Sequence, residues 1–303
     1  MTASWGCAWD ARRCARRRPP EARWRSDPRM RMVDVGGSVL RVLDIGDAGG
    51  QAPIILAADA PVVLEHLIPL VEALQGRRRV VALEMPGFGF SRPHREYHFT
   101  LPEQVGVLLG LLDALDVRRA HLAFTCVNAL VAAALAKRAP ERVERLTLGQ
   151  LPSLQEYRRW AARIDFRVAG FSLLGTPGVG QVLMATAPSF VAAKWFRGVS
   201  GPSADTETCA RVARKAYREG GTFCLAALNQ TMFDVTASDI GPLSVPTTFL
   251  WGAADRSHRA TQRDTCLEIA PHADVRSFDD LGHCFDIEDP ARVASLLVDR
   301  FGD

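Results

Sequence analysis

A mostly parallel, doubly wound α/β sheet carrying one inserted helical cap is the fold class this sequence predicts. Three observations predict it. Short apolar runs that read as buried strands alternate with segments of helical spacing over residues 32–150. The same alternation returns over residues 242–303. Between them, residues 151–241 hold no convincing strand and are rich in glycine and aromatic side chains. Such an excursion reads as a cap over the carboxyl ends of the strands, where open α/β sheets bind ligands.

Element by element, Val33–Val35 and Val39–Ile45, joined at Gly36-Gly37, read as a hairpin. Pro53–Ala57 and Arg79–Glu84 read as short buried strands, and Val63–Leu74 between them has helical spacing. Leu101–Leu115 repeats apolar residues at helical intervals, with Pro102 in the first turn, where its missing N–H costs nothing. Strand Ala120–Phe124 runs straight into helix Val127–Arg138, and Pro140 separates that helix from strand Val143–Gly149. After the insertion come strand Thr247–Trp251, helix Arg259–Ile269, strand Asp274–Phe278 and helix Pro290–Phe301.

The composition, 48% apolar and 23% charged over 303 residues, excludes a disordered chain, a collagen-like repeat and a disulfide miniprotein. The net charge of +3 is unevenly spread. Residues 1–31 hold nine arginines against three acids, so the segment is +6 and the remainder is −3. This segment has three prolines, no apolar period and no apolar run of the length an export signal needs, so it reads as a disordered, Arg-rich extension rather than a nucleic-acid or membrane arm. No stretch reaches membrane-spanning length. Seven cysteines without CxxC spacing are expected as free thiols. Free thiols fit a reducing cytoplasm, and 34 arginines to 3 lysines suggest GC-rich coding rather than a binding function, so a cytoplasmic, bacterial protein is expected. No phosphate-cradling loop or metal-ligand spacing is present, so no cofactor, metal, nucleic-acid or membrane partner is expected.

Four segments bring reactive residue types together in a fixed order. Glu84-Met-Pro-Gly-Phe-Gly-Phe-Ser91 follows a strand, and Ala123-Phe-Thr-Cys-Val-Asn-Ala129 spans a strand-to-helix junction. Leu250-Trp-Gly-Ala-Ala-Asp255 follows another strand, and Leu281-Gly-His-Cys-Phe-Asp-Ile-Glu-Asp-Pro290 leads into the last helix. In this order they resemble the capped branch of the α/β-hydrolase superfamily: its D-x-P-G-x-G-x-S turn (with Glu84 for Asp), nucleophile elbow, W-G-x-x-D segment and G-H…E-x-P segment. The resemblance covers residues 33–301.

The resemblance implies a triad of Cys126 as nucleophile, His283 as general base and Asp255 as the acid that orients it. At the start of a helix, Cys126 is expected to have a lowered pKa and to favour the thiolate. The oxyanion donors are expected to be the backbone N–H groups of Asp59 (or Ala58) and Val127. Asp279 and Asp280 read as loop residues, and His121 and His258 lack a catalytic context.

Two departures bear on the chemistry. Phe124 and Asn128 stand where G-x-S-x-G has glycines, so Phe124 needs room that Ala129 and the Ala132-Ala133-Ala134 run supply. Ala57-Ala58-Asp59-Ala60-Pro61 stands where the family carries His-Gly. A carboxylate beside a developing oxyanion is unfavourable, so Asp59 is either an acid/base group or the mark of a hole no longer used for acyl transfer. The cap aromatics, among them Trp160, Trp195 and Phe223, suggest an apolar or aromatic small-molecule substrate. The function expected is hydrolysis or transfer of an ester or thioester acyl group. The alternatives are lyase, cyclase or isomerase chemistry without a covalent intermediate, and a non-catalytic ligand-binding relative.

Overall fold

Every residue of Ile54–Ala58 and of Val80–Glu84 is buried, as short runs of Ile, Leu, Val and Ala must be when both faces of a parallel sheet are covered. In the computed structural model, which describes residues 5–47 and 49–301, these are two strands of one eight-stranded sheet. Its strands are β1 (Met30–Val35), β2 (Ser38–Ile45), β3 (Ile54–Ala58), β4 (Val80–Glu84), β5 (Ala120–Thr125), β6 (Val143–Gly149), β7 (Thr247–Gly252) and β8 (Asp274–Phe278). Their order is β1-β2-β4-β3-β5-β6-β7-β8. The β1/β2 and β2/β4 pairs are antiparallel, and the others are parallel.

In chain order the longer helices are α1 (Trp5–Ala15), α2 (Leu64–Leu74), α3 (Leu101–Ala114), α4 (Cys126–Arg138), α5 (Leu154–Ile164), α6 (Val179–Thr186), α7 (Pro188–Val199), α8 (Thr206–Arg218), α9 (Leu225–Thr231) and α10 (Pro290–Phe301). Helix α2 packs with α10, and α3 with α4. Helices α5 to α9 all lie between β6 and β7. Among the described residues, no helix is long and apolar enough to cross a membrane.

Two expectations are corrected. The segment Arg259–Ile269 is not an α-helix but lies among two 3₁₀ turns, Arg256–His258 and Arg263–Glu268. Local side-chain bonds compete with helical ones there: His258 Nδ1 pairs with Thr261 Oγ1 at 3.1 Å, and Thr265 Oγ1 donates to the Gln262 carbonyl at 2.6 Å. Residues 5–31 of the Arg-rich extension are folded rather than disordered; residues 1–4 lie outside the described residues. Helix α1 buries Gly6, Cys7, Asp10, Ala11 and Cys14 against the body. Those positions follow the helical period, but with small side chains rather than large apolar ones, so a search for apolar periodicity passes over them.

Glu84, the departure in the first motif, is fully buried and fastens the turn. Its carboxylate accepts from Arg41 Nη2 at 2.6 Å, from the Leu64 N–H at 3.1 Å and from the Phe90 N–H at 2.7 Å. Arg41 is also fully buried and reaches Glu65 at 2.7 Å. Gly89 sits at φ +53 with its missing Cβ directed into that Glu84 carboxylate. Replacing Gly89 by alanine is therefore expected to destabilise the fold by about 3 kcal/mol or more, combining left-handed strain with a clash against a fixed ionic group. Thermal unfolding should fall by roughly 10 °C; an unchanged midpoint would show that the network rearranges freely.

Candidate active site

Strand β5 ends at Thr125, and helix α4 begins at the next residue, so Cys126 stands on the turn between them with φ +52. A left-handed backbone at a non-glycine residue is strained and persists only where its surroundings enforce it. Here the enforcement is burial, since every residue from Cys126 to Ala136 is buried, with Ala129, Ala132 and Ala133 fully so. Phe124 is accommodated in the core and is itself almost wholly buried. Asn128 does more than crowd the turn: its Nδ2 donates to the Ala58 carbonyl at 3.0 Å, tying α4 to the end of β3.

The other two motifs meet beside this turn. Gly252 at the end of β7 lies against the Gly282 backbone next to His283, leaving no room for a Cβ, and Gly282 in turn lies against the backbone of residues 199–201. Ala254 N–H donates to the Leu281 carbonyl at 2.9 Å. This contact sets Asp255 against His283, whose Nδ1 lies 2.6 Å from Asp255 Oδ2. The same Asp255 oxygen accepts from Gln150 Nε2 at 3.0 Å, while its other oxygen accepts from the Ser257 N–H at 2.8 Å. Asp255 thus caps the following turn and orients the imidazole with separate oxygens. His283 N–H donates to the Val199 carbonyl at 2.9 Å, which couples its loop to α7 of the insertion. Its Nε2 has no hydrogen-bond partner among the described residues.

Sulfur, carboxyl and imidazole converge: one ligand-type atom each from Asp59, Cys126 and His283 lie within 4.8 Å of one another. The Asp59 carboxyl faces the Cys126 thiol closely enough that each alters the other's proton affinity, and its Oδ1 is buried without a hydrogen-bond partner among the described residues. The Val127 N–H interacts with the Cys126 sulfur. Asp255, His258 and His283 form a second such group, but there Asp255 and His283 spend their facing atoms on each other.

Burial dominates the proton affinities. It pushes the Asp59 carboxyl up to about 7, against the pull of His283 and with a contribution from Asp286. It also pushes the Cys126 thiol well above its ordinary value, and the nearby Asp59 charge adds to the rise. The expected thiolate is thus corrected: desolvation and a neighbouring carboxyl outweigh the helix terminus. Burial opposes the His283 imidazolium, yet the charge and hydrogen bond of Asp255, with Asp59 behind, raise its pKa overall. Burial likewise opposes the Asp255 carboxylate, and His283 more than offsets it.

A cavity of about 460 Å³ opens over these groups. Its floor includes Asp59, Cys126 and Val127, and its largely apolar walls come from the insertion, notably Trp160, Trp195 and Leu228. All five expected site residues, Cys126, His283, Asp255, Asp59 and Val127, therefore lie at one end of the sheet. Four others were not legible. Gln150 carries no motif, yet it sits at the end of β6 with φ +51 and holds Asp255. Tyr157 is buried in the cavity wall, and burial together with the nearby Cys126 and Asp59 pushes its hydroxyl well above the ordinary value. His258, set aside in the sequence, is buried, stacks on His283 at 5.5 Å between ring centres, and is driven by burial and by His283 down to about 3. Trp160 stacks on both imidazoles, 4.6 Å from His258 and 5.8 Å from His283.

A family model described as alpha/beta hydrolase fold matches residues 62–290. A dihydrolipoyllysine-residue acetyltransferase component of an acetoin cleaving system from Pseudomonas putida is 36% identical over 121 residues, 40% of this chain. That stretch spans only 32% of the relative's length. A 2-hydroxymuconate semialdehyde hydrolase from Pseudomonas sp. strain CF600 is 28% identical over 233 residues, 73% of this chain and 76% of that one. Among solved structures, epoxide hydrolase A from Mycobacterium thermoresistibile superposes with a TM-score of 0.74 at 20% identity, covering 91% of this chain and 98% of that one.

Proposed function

Since the chain belongs to the alpha/beta hydrolase fold family, as a hydrolase or acyltransferase of that fold, we propose that it cleaves or transfers an acyl group through Cys126. The observation that carries this reading is the strained φ of +52 at Cys126 beside a His283–Asp255 pair held at 2.6 Å. Strain of this kind is maintained where it presents a reacting side chain. His283 takes the thiol proton as the sulfur attacks the carbonyl carbon of an ester or thioester, because the raised thiol pKa leaves little free thiolate. The leaving group departs with a proton, and a water, alcohol, thiol or amine then takes the acyl group from sulfur.

Asp59 fits this route in its neutral form. A protonated carboxyl donates its O–H to the developing oxyanion alongside the Val127 N–H, whereas a carboxylate would repel it. A pKa of about 7 keeps a substantial protonated fraction at neutral pH. Rapid-quench mass spectrometry with p-nitrophenyl butyrate tests the covalent step. An acyl adduct on Cys126 that forms faster than steady-state turnover is expected; turnover without that adduct overturns it.

The insertion, acting as a cap, supplies mostly apolar walls, which supports an apolar acyl chain as substrate. Each methylene buried there is worth about 0.8 kcal/mol, so kcat/KM should rise roughly fourfold per added carbon from acetate to hexanoate p-nitrophenyl esters. A flat series would argue against this cavity as the acyl site.

A second reading rests on Asp59 itself. Its placement against both Cys126 and His283 supports proton transfer to and from a bound substrate, as in lyase, cyclase or isomerase chemistry with no acyl-enzyme. A solely ligand-binding role has less support, because the orienting bonds around His283 are intact.

A further inference from the structure

We propose that Cys14 and Cys224 are a site of reversible oxidation, at which hydrogen peroxide joins them in a disulfide that ties the N-terminal helix to the wall of the substrate cavity. The two sulfurs lie 3.3 Å apart although 210 positions separate them in the chain. Both residues are fully buried. A disulfide requires about 2.05 Å between sulfurs, so closure needs a small shift of two side chains already in contact.

The surroundings suit this chemistry better than metal binding. Asp10, Cys14 and Cys224 do bring three ligand-type atoms within 4.8 Å. Arg13, however, occupies Asp10 at 2.9 Å and lies 3.9 Å from the Cys224 sulfur, where its charge repels a cation and favours a thiolate. The hydrogen bond from Cys224, opposed by burial and aided by Arg13, lowers the Cys14 pKa. Cys14 is therefore the sulfur that attacks the peroxide. Its thiolate takes one oxygen as the O–O bond breaks, the departing hydroxide collects a proton to become water, and Cys14 is left as a sulfenic acid. The Cys224 sulfur then attacks Cys14, forming the S–S bond and releasing a second water. Two thiols lose two electrons, and the peroxide gains them.

The bond has a structural consequence because of where Cys224 stands. It immediately precedes α9, from which Leu225 and Leu228 line the cavity. Its N–H donates to the Gly87 carbonyl at 3.1 Å, and Phe223 before it pairs with Phe88. On the other side, α1 already rests on α9 through Cys7, whose sulfur donates to the Ala227 carbonyl at 3.6 Å. A covalent link at Cys14 restrains the start of α9 without passing through the reacting groups around Cys126.

The test uses the full-length protein, treated with hydrogen peroxide while folded, alkylated, and mapped by mass spectrometry without reduction. The expected result is a monomer in which the peptides bearing Cys14 and Cys224 are joined with loss of two hydrogens, and separate on addition of dithiothreitol. Hydrogen exchange across residues 222–231 should be slower in the oxidised form than in the reduced one. The Cys14→Ser variant should give no such cross-link. Alkylation of both cysteines after peroxide treatment, separate sulfinic acids, or pairing of Cys14 with another cysteine would overturn the proposal. Equal exchange in the two redox forms would overturn the tether. The map on the unsubstituted protein decides the matter even where a variant fails to fold.

Discussion

Replacing Cys126 by alanine is expected to lower kcat on a p-nitrophenyl ester by at least about a thousandfold, with KM changed only severalfold. The size follows from the proposed role: without the sulfur there is no acyl-enzyme, and what remains is the contribution of binding and the oxyanion donors. Cys126→Ser should retain part of the activity, because a hydroxyl on the same strained turn keeps a nucleophile within reach of His283. It should stay well below the unsubstituted enzyme, since a hydroxyl is a weaker nucleophile than a thiol and His283 must deprotonate a much weaker acid. The pattern wild type above serine above alanine supports covalent catalysis. An alanine variant that turns over like the wild type would move the assignment to the Asp59–His283 reading, and circular dichroism would establish that each variant is folded.

The sheet was legible because its strands are written in large apolar side chains. Val143–Gly149 and Asp274–Phe278 have the bounds expected, Arg79–Glu84 differs by one residue at its start, and Pro53–Ala57 is shifted by one residue at each end. Elements whose packing depends on small or polar groups were not legible. Helix α1 buries Gly6, Cys7, Ala11 and Cys14, none of which marks an amphipathic face by size. The turn at Arg256–His258 is decided by threonine and aspartate side chains bonding locally, which hydropathy does not register. In the site, the motif glycines at 252 and 282 carried information because a backbone contact leaves no room for a Cβ. Gln150, Tyr157 and Trp160 act only through tertiary contacts with Asp255, Cys126 and the imidazoles, so no local pattern distinguishes them. The thiolate expectation failed for a related reason: the helix terminus is local, whereas the burial and the Asp59 carboxyl that outweigh it arrive through the fold.

Asp59→Asn separates the two readings and reports on stability as well. The folded protein holds the Asp59 proton with a pKa of about 7, whereas an unfolded aspartate titrates near its ordinary value of about 3.9. Between those values the folded state binds more protons than the unfolded state, so Asp59 makes stability fall as pH rises from about 4 to about 7. Three units correspond to about 4 kcal/mol at most. An asparagine of the same shape does not ionise. The variant should therefore match the wild type near pH 4 and exceed it by an amount approaching that figure at pH 8, measured by urea unfolding at both values. Identical pH dependence in the two proteins would show that Asp59 is ionised throughout. Activity then discriminates. If neutral Asp59 donates to the oxyanion, wild-type acyl cleavage declines as pH rises through about 7. The Asp59→Asn variant, whose amide still donates, should keep substantial activity and lose that decline. If Asp59 instead moves protons on the substrate, the variant gains stability and loses turnover at every pH, because an amide accepts no proton in this range.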